Sequence, residues 1–529
     1  MGKVWLVGAG PGDVGMLTLR GKEVLEQAQV VVYDRLVGPG ILKLIPDSAR
    51  CIDVGKRAGN HTMPQEEINQ LLLWEAQAGN QVVRLKGGDP FLFGRGGEEL
   101  ELLAQHEIPF EVVPGVTSAI AVPAYSGIPV THRDCASSLH IITGHRREGE
   151  EGQIDFEALV RTRGTLVFLM GASALGSICK GLLEAGMEGD MPAALLQQGT
   201  TAEQKKLITT VATLEAEAAK VTIETPAIIV VGKVCSYGEF FSWYEKLPLF
   251  GQRILVTRPR ERSGELSARL RALGAEVLEF PTIRIVPIED NPQLEQALTK
   301  LPEYNYLVFT SPAGVNVFFD ALKNQKKDIR CIGNAQIAVI GPGTRAELEK
   351  RGIYAELMPE TYDGQNLGIL LGSTCQDGDN ILIPRAKSGN PHLVEEIAKR
   401  KQATVVDVPL YDTVYCCGEI GEKKSVAEEN YVEDTAEEKT ADVVDIKSMI
   451  EDGKLSMVIF TSASTVQGFV SCTHGLNYGL VKAVCIGRRT KEAAEVVGMK
   501  AYMAREATLD GLLELVKRLA PIRKRRSNK

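Results

Sequence analysis

Several strand ends in the first half of the chain carry groups that could touch a ligand. The stretch VWLVGAGPGDVGMLTLRG (4–21) is an apolar strand, then Gly8, Gly10, Pro11, Gly12 and Asp13, then a helical run. The next strand, VVVYD, places Asp34 where a dinucleotide-binding protein keeps its ribose ligand. In RLKGGDPFLFGRGGEE (84–99) Gly87 and Gly88 let a ligand approach the backbone, and the Asp89 carboxylate can accept ribose hydroxyls. VVPGVTSAIAVPAYSGIPVTHR (112–133) turns through Gly115 into Thr117 and Ser118, whose hydroxyls and amides can cap a helix and hold a ligand. TLVFLMGAS (165–173) sets Met170 at a strand end. In the second half the hydroxyl pairs Thr310/Ser311 and Thr461/Ser462 follow apolar strands, and Arg258 and Arg385 end two others.

The glycine stretch departs from the dinucleotide fingerprint G-x-G-x-x-G. Gly8 and Gly10 fit, but the third position is Asp13. Pro11 removes a backbone donor from a loop that would have to present donors to a pyrophosphate, and Asp13 repels phosphate. Each stretch alone also has a purely architectural explanation, because tight turns need glycine and helix starts favour Thr and Ser. Their recurrence at the strand ends of one sheet is where α/β proteins bind ligands.

The elements that must position these groups alternate strand and helix along 529 residues, which predicts two or three α/β domains with largely parallel sheets. Apolar residues make up 44% and charged residues 24%, an ordinary soluble balance. No apolar run approaches the length of about twenty that spans a membrane. The chain enters its first strand at once, without an export signal, so the ten cysteines read as reduced thiols of a cytoplasmic protein. Seven histidines form no Cys/His cluster, so no metal is expected, and a net charge of −8 argues against nucleic acid. The basic tail IRKRRSNK reads as a frayed terminus. After the strand TPAIIVVGKV (225–234) and the aromatic stretch GEFFSWYEKLPLFG a fresh strand begins, so domains are expected at 1–247 and 248–529.

The second half contains a duplication. Residues 254–281 echo 381–409, VFTSPAGVNVFF (308–319) echoes IFTSASTVQGFV (459–470), and AVIGPGTRAELEKRG (338–352) echoes AVCIGRRTKEAAEVVG (483–498). Three paired motifs in one order predict two copies of an α/β unit with a cleft between lobes. The stretch 418–442 holds nine acids, three lysines and no Phe or Trp, and reads as a disordered surface insertion.

GAGPGD, VVYDRLV, VGKRAGNHTMPQEEIN, GGDPFLFGRGGEE and PGVTSAIAVPAYSGIPVTHR, in this order, resemble the uroporphyrinogen-III C-methyltransferases of the tetrapyrrole methylase family over residues 1 to about 245. The resemblance implies a two-lobed α/β methylase fold that dimerises, with S-adenosylmethionine bent into the cleft and S-adenosylhomocysteine as its product. It implies cofactor contacts from Pro11, Gly87, Gly88, Asp89, Leu92, Thr117, Ser118, Met170 and Gly199. It places the proton acceptor on Asp34 and the proton donor on Lys56. Methylating a pyrrole carbon needs in-line approach in a dry pocket and then loss of a proton, for which a carboxylate suits. Arg35, Arg95, Arg133 and Lys56 are candidates for the carboxylates of a tetrapyrrole, with surface ion pairing as the alternative for each.

The duplicated lobes, with YDGQNLGILL and IPRAKSGNPHLVEEI, resemble uroporphyrinogen-III synthase. That implies two α/β lobes joined by a two-stranded hinge: one lobe from about 252–281 and 413–520, the other from about 288–407. The implied reaction closes hydroxymethylbilane with inversion of its last ring, using Tyr411 to assist departure of the hydroxyl. Thr310, Ser311, Thr461, Ser462 and Arg385 are expected at the substrate. IGRRT places Arg489 where the family commonly has a hydroxyl, and Thr490 remains. The expected whole is a bifunctional enzyme giving a dimethylated precursor of sirohaem and cobalamin. The alternative is a methyltransferase with an inactive tetrapyrrole-binding second half.

Overall fold

The computed structural model describes residues 2–46, 48–55, 63–144, 154–258, 260–416 and 446–521. Lys56, the acidic stretch 418–442 and the basic tail lie outside the described residues. The architecture is α/β, built on four five-stranded sheets.

Strands β1 (Lys3–Gly8), β2 (Val30–Tyr33), β3 (Arg50–Asp53), β4 (Gln81–Lys86) and β5 (Phe110–Val113) form a parallel sheet in the order β3-β2-β4-β1-β5. Strands covered on both faces are continuously apolar, and VVVY of β2 is buried throughout. Two apolar clusters lie on the two faces of this sheet. The chain leaving β1 runs toward β2, and the chain leaving β4 runs to β5 on the other side. The shared carboxyl edge of β1 and β4 is therefore the topological switch point.

A second, mixed sheet contains β6 (Leu139–Thr143), β7 (Thr165–Leu169), β8 (Pro192–Gln197), β9 (Lys205–Thr210) and β10 (Ala227–Val231), in the order β6-β7-β10-β8-β9. The helix Ser118–Tyr125 joins it to the first sheet. Ala119 and Val122 of this helix share an apolar cluster with Val167, Leu169, Leu196 and Ile228.

The remaining strands are β11 (Arg253–Val256), β12 (Glu276–Glu279), β13 (Ile283–Pro287), β14 (Tyr306–Phe309), β15 (Gln336–Val339), β16 (Asn380–Ala386), β17 (Thr404–Tyr415), β18 (Met457–Phe460), β19 (Lys482–Cys485) and β20 (Lys500–Met503). They form two sheets, β12-β11-β18-β19-β20 and β13-β17-β16-β14-β15. The repeats are shared between them. β11 and β12 from the first copy pair with β18 and β19 from the second, while β16 and β17 from the second pair with β14 and β15 from the first. Equivalent strands occupy equivalent places in both sheets.

The crossing between the two sheets is an antiparallel ribbon in which β13 faces the far end of β17, from Ile283 opposite Tyr415 to Pro287 opposite Tyr411. The ribbon docks on the helix Ala463–Cys472 of the neighbouring sheet. Thr282 Oγ1 donates to the Thr465 carbonyl at 3.1 Å, and the Tyr415 hydroxyl donates to Gln467 Oε1 at 3.0 Å.

Cys51, Cys135, Cys179, Cys235, Cys331, Cys375 and Cys485 are free thiols; Cys472 departs from the expectation of reduced thiols and is disulfide-bonded. Among the described residues no helix is long and apolar enough to cross a membrane, and no group of His, Cys, Asp and Glu could hold a metal ion.

Candidate active sites at the strand ends

At the switch point the turns after β1, β4 and β5 touch backbone to backbone. Gly10 and Gly88 exchange hydrogen bonds, Gly10 N–H to the Gly88 carbonyl at 3.1 Å and Gly88 N–H to the Gly10 carbonyl at 2.8 Å. A Cβ on Gly115 would stand 2.2 Å from the Gly88 oxygen and 2.6 Å from the Gly8 Cα. Backbone cannot yield as a side-chain tip can. Gly115→Ala is expected to cost about 3 kcal/mol, the upper end for overpacking, read as a shift in the denaturant midpoint without a change in slope.

Asp89 holds this junction together. Its Oδ1 accepts the amides of Phe91 and Leu92 at 2.9 and 3.0 Å, and its Oδ2 accepts the Gly115 amide at 3.0 Å. The carboxylate read from sequence as a ribose acceptor is thus turned onto the turn's own amides. Three orphan donors at two strand ends converge on it, and that is the physical reason.

Leu92, Thr117 and Gly199 meet around the helix that begins at Ser118, where the two sheets join. Leu92 packs on the apolar cluster of the helix Ser118–Tyr125, Thr117 caps that helix by accepting the Ala119 amide, and Gly199 lies against Val122 so closely that a Cβ would meet Cγ1 at 2.3 Å. Met170 follows β7 and is 51% exposed. Pro11 is half-buried in the glycine turn. Five non-glycine residues in these segments have left-handed backbone: Phe93 (φ 54°), Arg95 (57°), Met170 (55°), Gln198 (47°) and Thr200 (70°). Such strain costs of order 1–3 kcal/mol per residue and collects at ligand sites.

Asp34, at the end of β2, lies on the same carboxyl edge. Its Oδ1 accepts a hydrogen bond from Arg84 Nη2 at 2.7 Å. Arg84 is 2% exposed and also donates through Nε to Glu99 Oε1 at 3.1 Å, while Lys86 Nζ reaches the same oxygen at 2.6 Å. Two acids and two bases therefore form one group, three of them buried and Asp34 half-buried at its edge, with Glu99 0% exposed and its Oε2 without a hydrogen-bond partner. Burial, and then the like charge of Arg84, hold the Lys86 ammonium below its ordinary pKa. Sequence reading passed over Arg84, Lys86 and Glu99. The available signal was two charges, two residues apart and so on one face, among the apolar Val82, Val83 and Leu85 of the strand QVVRLK.

In the second half, Tyr411 is 4% exposed and its hydroxyl lies 2.8 Å from Ser311 Oγ. Ser311 caps the helix Pro312–Asn324 by accepting the Gly314 amide, and Ser462 caps the helix Ala463–Cys472 in the equivalent place. Thr310 and Thr461 stand beside them, half-buried. The fold thus brings Tyr411 to Ser311 and places the Thr461/Ser462 pair on the other sheet.

Arg385 is turned inward. It is 6% exposed and forks onto Asp407 at 2.8 and 2.5 Å, with Nη1 on the Asn390 carbonyl at 2.6 Å, so its donors hold β16 to β17. Arg258 is half-buried at the end of β11. Arg95 forms an exposed pair with Glu98, and Arg35 and Arg133 are exposed. Arg489 is exposed at the start of a helix, whereas Thr490 is buried at 4%.

Residues 3–215 match the family profile of the tetrapyrrole (corrin/porphyrin) methylases, and residues 264–514 match that of uroporphyrinogen-III synthase HemD. A porphyrin biosynthesis protein HemD of Ruminiclostridium josui is 46% identical over 97% of both chains. A uroporphyrinogen-III C-methyltransferase of Bacillus subtilis is 42% identical over 66% of this chain and 72% of its own. The uroporphyrin-III C-methyltransferase of Thermus thermophilus, solved with S-adenosyl homocysteine, is 40% identical over 44% of this chain and 99% of its own, with a TM-score of 0.39.

Proposed function

The chain belongs to the tetrapyrrole methylases through its N-terminal half and to the uroporphyrinogen-III synthases through its C-terminal half, and as a bifunctional enzyme of tetrapyrrole biosynthesis we propose that it makes precorrin-2. The C-terminal half closes hydroxymethylbilane to uroporphyrinogen III, and the N-terminal half methylates that product twice. The observation that carries this reading is the union of both families along one chain, matched end to end by one relative. The product of the second half is then the substrate of the first. The division lies at 247/248, and the methyltransferase half pairs as a homodimer.

The edge of Gly87, Gly88, Thr117, Ser118, Met170 and Gly199 suits S-adenosylmethionine: a Cβ on Gly88 would meet nothing within 4 Å, so its face lies open. When bound, the cofactor supplies an electrophilic methyl group. Pro11, Leu92 and Met170 exclude water from it, and Asp89 keeps the turn in shape through its three amides. Asp34, held by Arg84, accepts the proton released from the macrocycle, and Lys56 donates one. Arg35, together with Lys56, meets the substrate carboxylates.

In the second half the task is to bind and orient a flexible polyacid while its hydroxyl leaves. The Tyr411 phenol, fixed by Ser311, assists that departure, and Thr310, Thr461 and Ser462 offer hydroxyls from the two lobes. A second reading, methyl transfer alone, draws on exposed Arg489 and buried Thr490 at the later turn.

Hydroxymethylbilane given to the purified chain without methyl donor separates the two. Uroporphyrinogen III is expected. Accumulation of the spontaneous type I isomer would sink the synthase half of the reading. Adding S-adenosylmethionine should raise the product mass by two CH2 units, since each methyl group that enters is balanced by a proton that leaves. In the same assay Tyr411→Phe is expected to slow ring closure by roughly 10²-fold, the lower end for a positioned proton donor.

A further inference from the structure

The glycine turn of the methyltransferase half is braced by a loop that the synthase half also grips. The loop joins β8 to β9, and within it the Asp13 amide donates to Thr200 Oγ1 at 3.3 Å. Gly12 leaves little room there: a Cβ would meet Thr200 Oγ1 at 3.0 Å and Thr201 Cγ2 at 3.1 Å. Gln198 and Thr200 have φ of 47° and 70°, backbone that persists only where its surroundings over-determine it. One constraint is local, the Thr200 amide donating to Gln204 Oε1 at 2.8 Å.

Other constraints come from across the junction. Glu276 Oε2 on β12 accepts the Ala202 amide at 2.9 Å. Arg253, the first residue of β11 and 8% exposed, forks onto Glu276 at 2.8 and 3.0 Å and extends Nη1 to Glu203 Oε1 at 3.0 Å. A second contact lies close by. Lys43 stands 5.2 Å over the Phe280 ring, and it follows Gly38, whose Cβ would meet the Gly12 oxygen at 2.6 Å. Both of these segments touch the synthase half and the glycine turn alike.

We propose that Arg253 and Glu276 are positioning residues of the methyltransferase, acting through loop 198–204 so that the docked synthase half sets the affinity of the other half for its sulfonium cofactor. The proposal rests on the reading that S-adenosylmethionine binds beside the glycine turn. The path is short: Arg253 and Glu276 hold Ala202 and Glu203, these follow Thr200, and Thr200 holds Asp13. Without the grip the left-handed loop relaxes, Asp13 is left with the Tyr125 hydroxyl, which donates to its Oδ2 at 2.9 Å, and cofactor binding weakens while the synthase cleft is untouched.

The full chain and its Arg253→Met, Arg253→Lys and Glu203→Gln variants, titrated calorimetrically with S-adenosylhomocysteine, test this. In Arg253→Met, Kd should rise about 3- to 10-fold, with KM for the methyl donor rising in parallel and kcat at saturation unchanged. Arg253→Lys, which keeps the charge but loses the fork, should recover part of the affinity. Glu203→Gln should show a smaller rise in Kd, and synthase turnover should stay the same in all three. An unchanged Kd in folded Arg253→Met overturns the proposal. If that variant does not fold, Glu203→Gln decides, since Glu203 is 36% exposed and its neutral analogue should fold; an unchanged Kd there overturns it equally. A wild-type chain that does not bind S-adenosylhomocysteine removes the underlying reading and the proposal with it.

Discussion

Asp34→Asn is expected to lower the turnover of methyl transfer by about 10²- to 10⁴-fold while leaving S-adenosylhomocysteine affinity nearly intact. The amide has the shape of the carboxylate and keeps an oxygen for Arg84, which donates to Asp34 Oδ1 at 2.7 Å, so the local geometry survives. In the role proposed for Asp34, what is lost is the capacity to take a proton from the macrocycle. The buried group can absorb the change in charge, because Arg84 keeps Glu99 as a partner and burial already disfavours the charged form of Lys86. Single-turnover kinetics beside a calorimetric titration would check this. Loss of cofactor binding in Asp34→Asn would move the residue from proton transfer to the binding site.

Arg84→Met is expected to destabilise the N-terminal half by about 3–5 kcal/mol, the range for removing one partner of a buried ion pair. Methionine fills much of the arginine stem's volume, so the cost is electrostatic. Asp34 loses its hydrogen bond, and Glu99, fully buried with one oxygen already unpartnered, is left with Lys86 and Gln65. Denaturant unfolding followed through the N-terminal half measures it. Adding Glu99→Gln to the variant should restore part of the loss, because the surplus buried negative charge is then removed. If the double variant is no more stable than the single one, the cost lies in packing.

The two predictions differ in how far the residues behind them could be read along the chain. Asp34 was marked by its place after an apolar strand and by a family motif. Arg84 was not, although it stands three residues before the Gly87-Gly88-Asp89 turn. A strand's pattern says which residues are buried and gives no partner for a charge among them. One partner of Arg84, Asp34, lies 50 residues upstream, just past a strand made adjacent only by the insertion of β4 between β2 and β1. Asp89 and Arg385 carry the same lesson from the other side. Both have ligand-binding chemistry by type, yet in the folded chain three amides meet Asp89 and Asp407 meets Arg385.

By itself the sequence determined what is local: the alternation of strands and helices, the helix caps at Thr117, Ser311 and Ser462, and the repeated motifs of the second half. These follow from hydrophobic period and from hydrogen bonds spanning only two or three residues. The duplication showed that there are two copies of a unit. Which strands of each copy share a sheet was implied by the synthase resemblance and not by the repeats themselves, because equivalent strands have equivalent apolar faces and either copy could cover the other. Tertiary structure set Tyr411 against Ser311, and drew Arg253 of one half to Glu203 of the other. Such pairings depend on chain ends that meet only after burial has chosen the neighbours, and no spacing in the sequence records them.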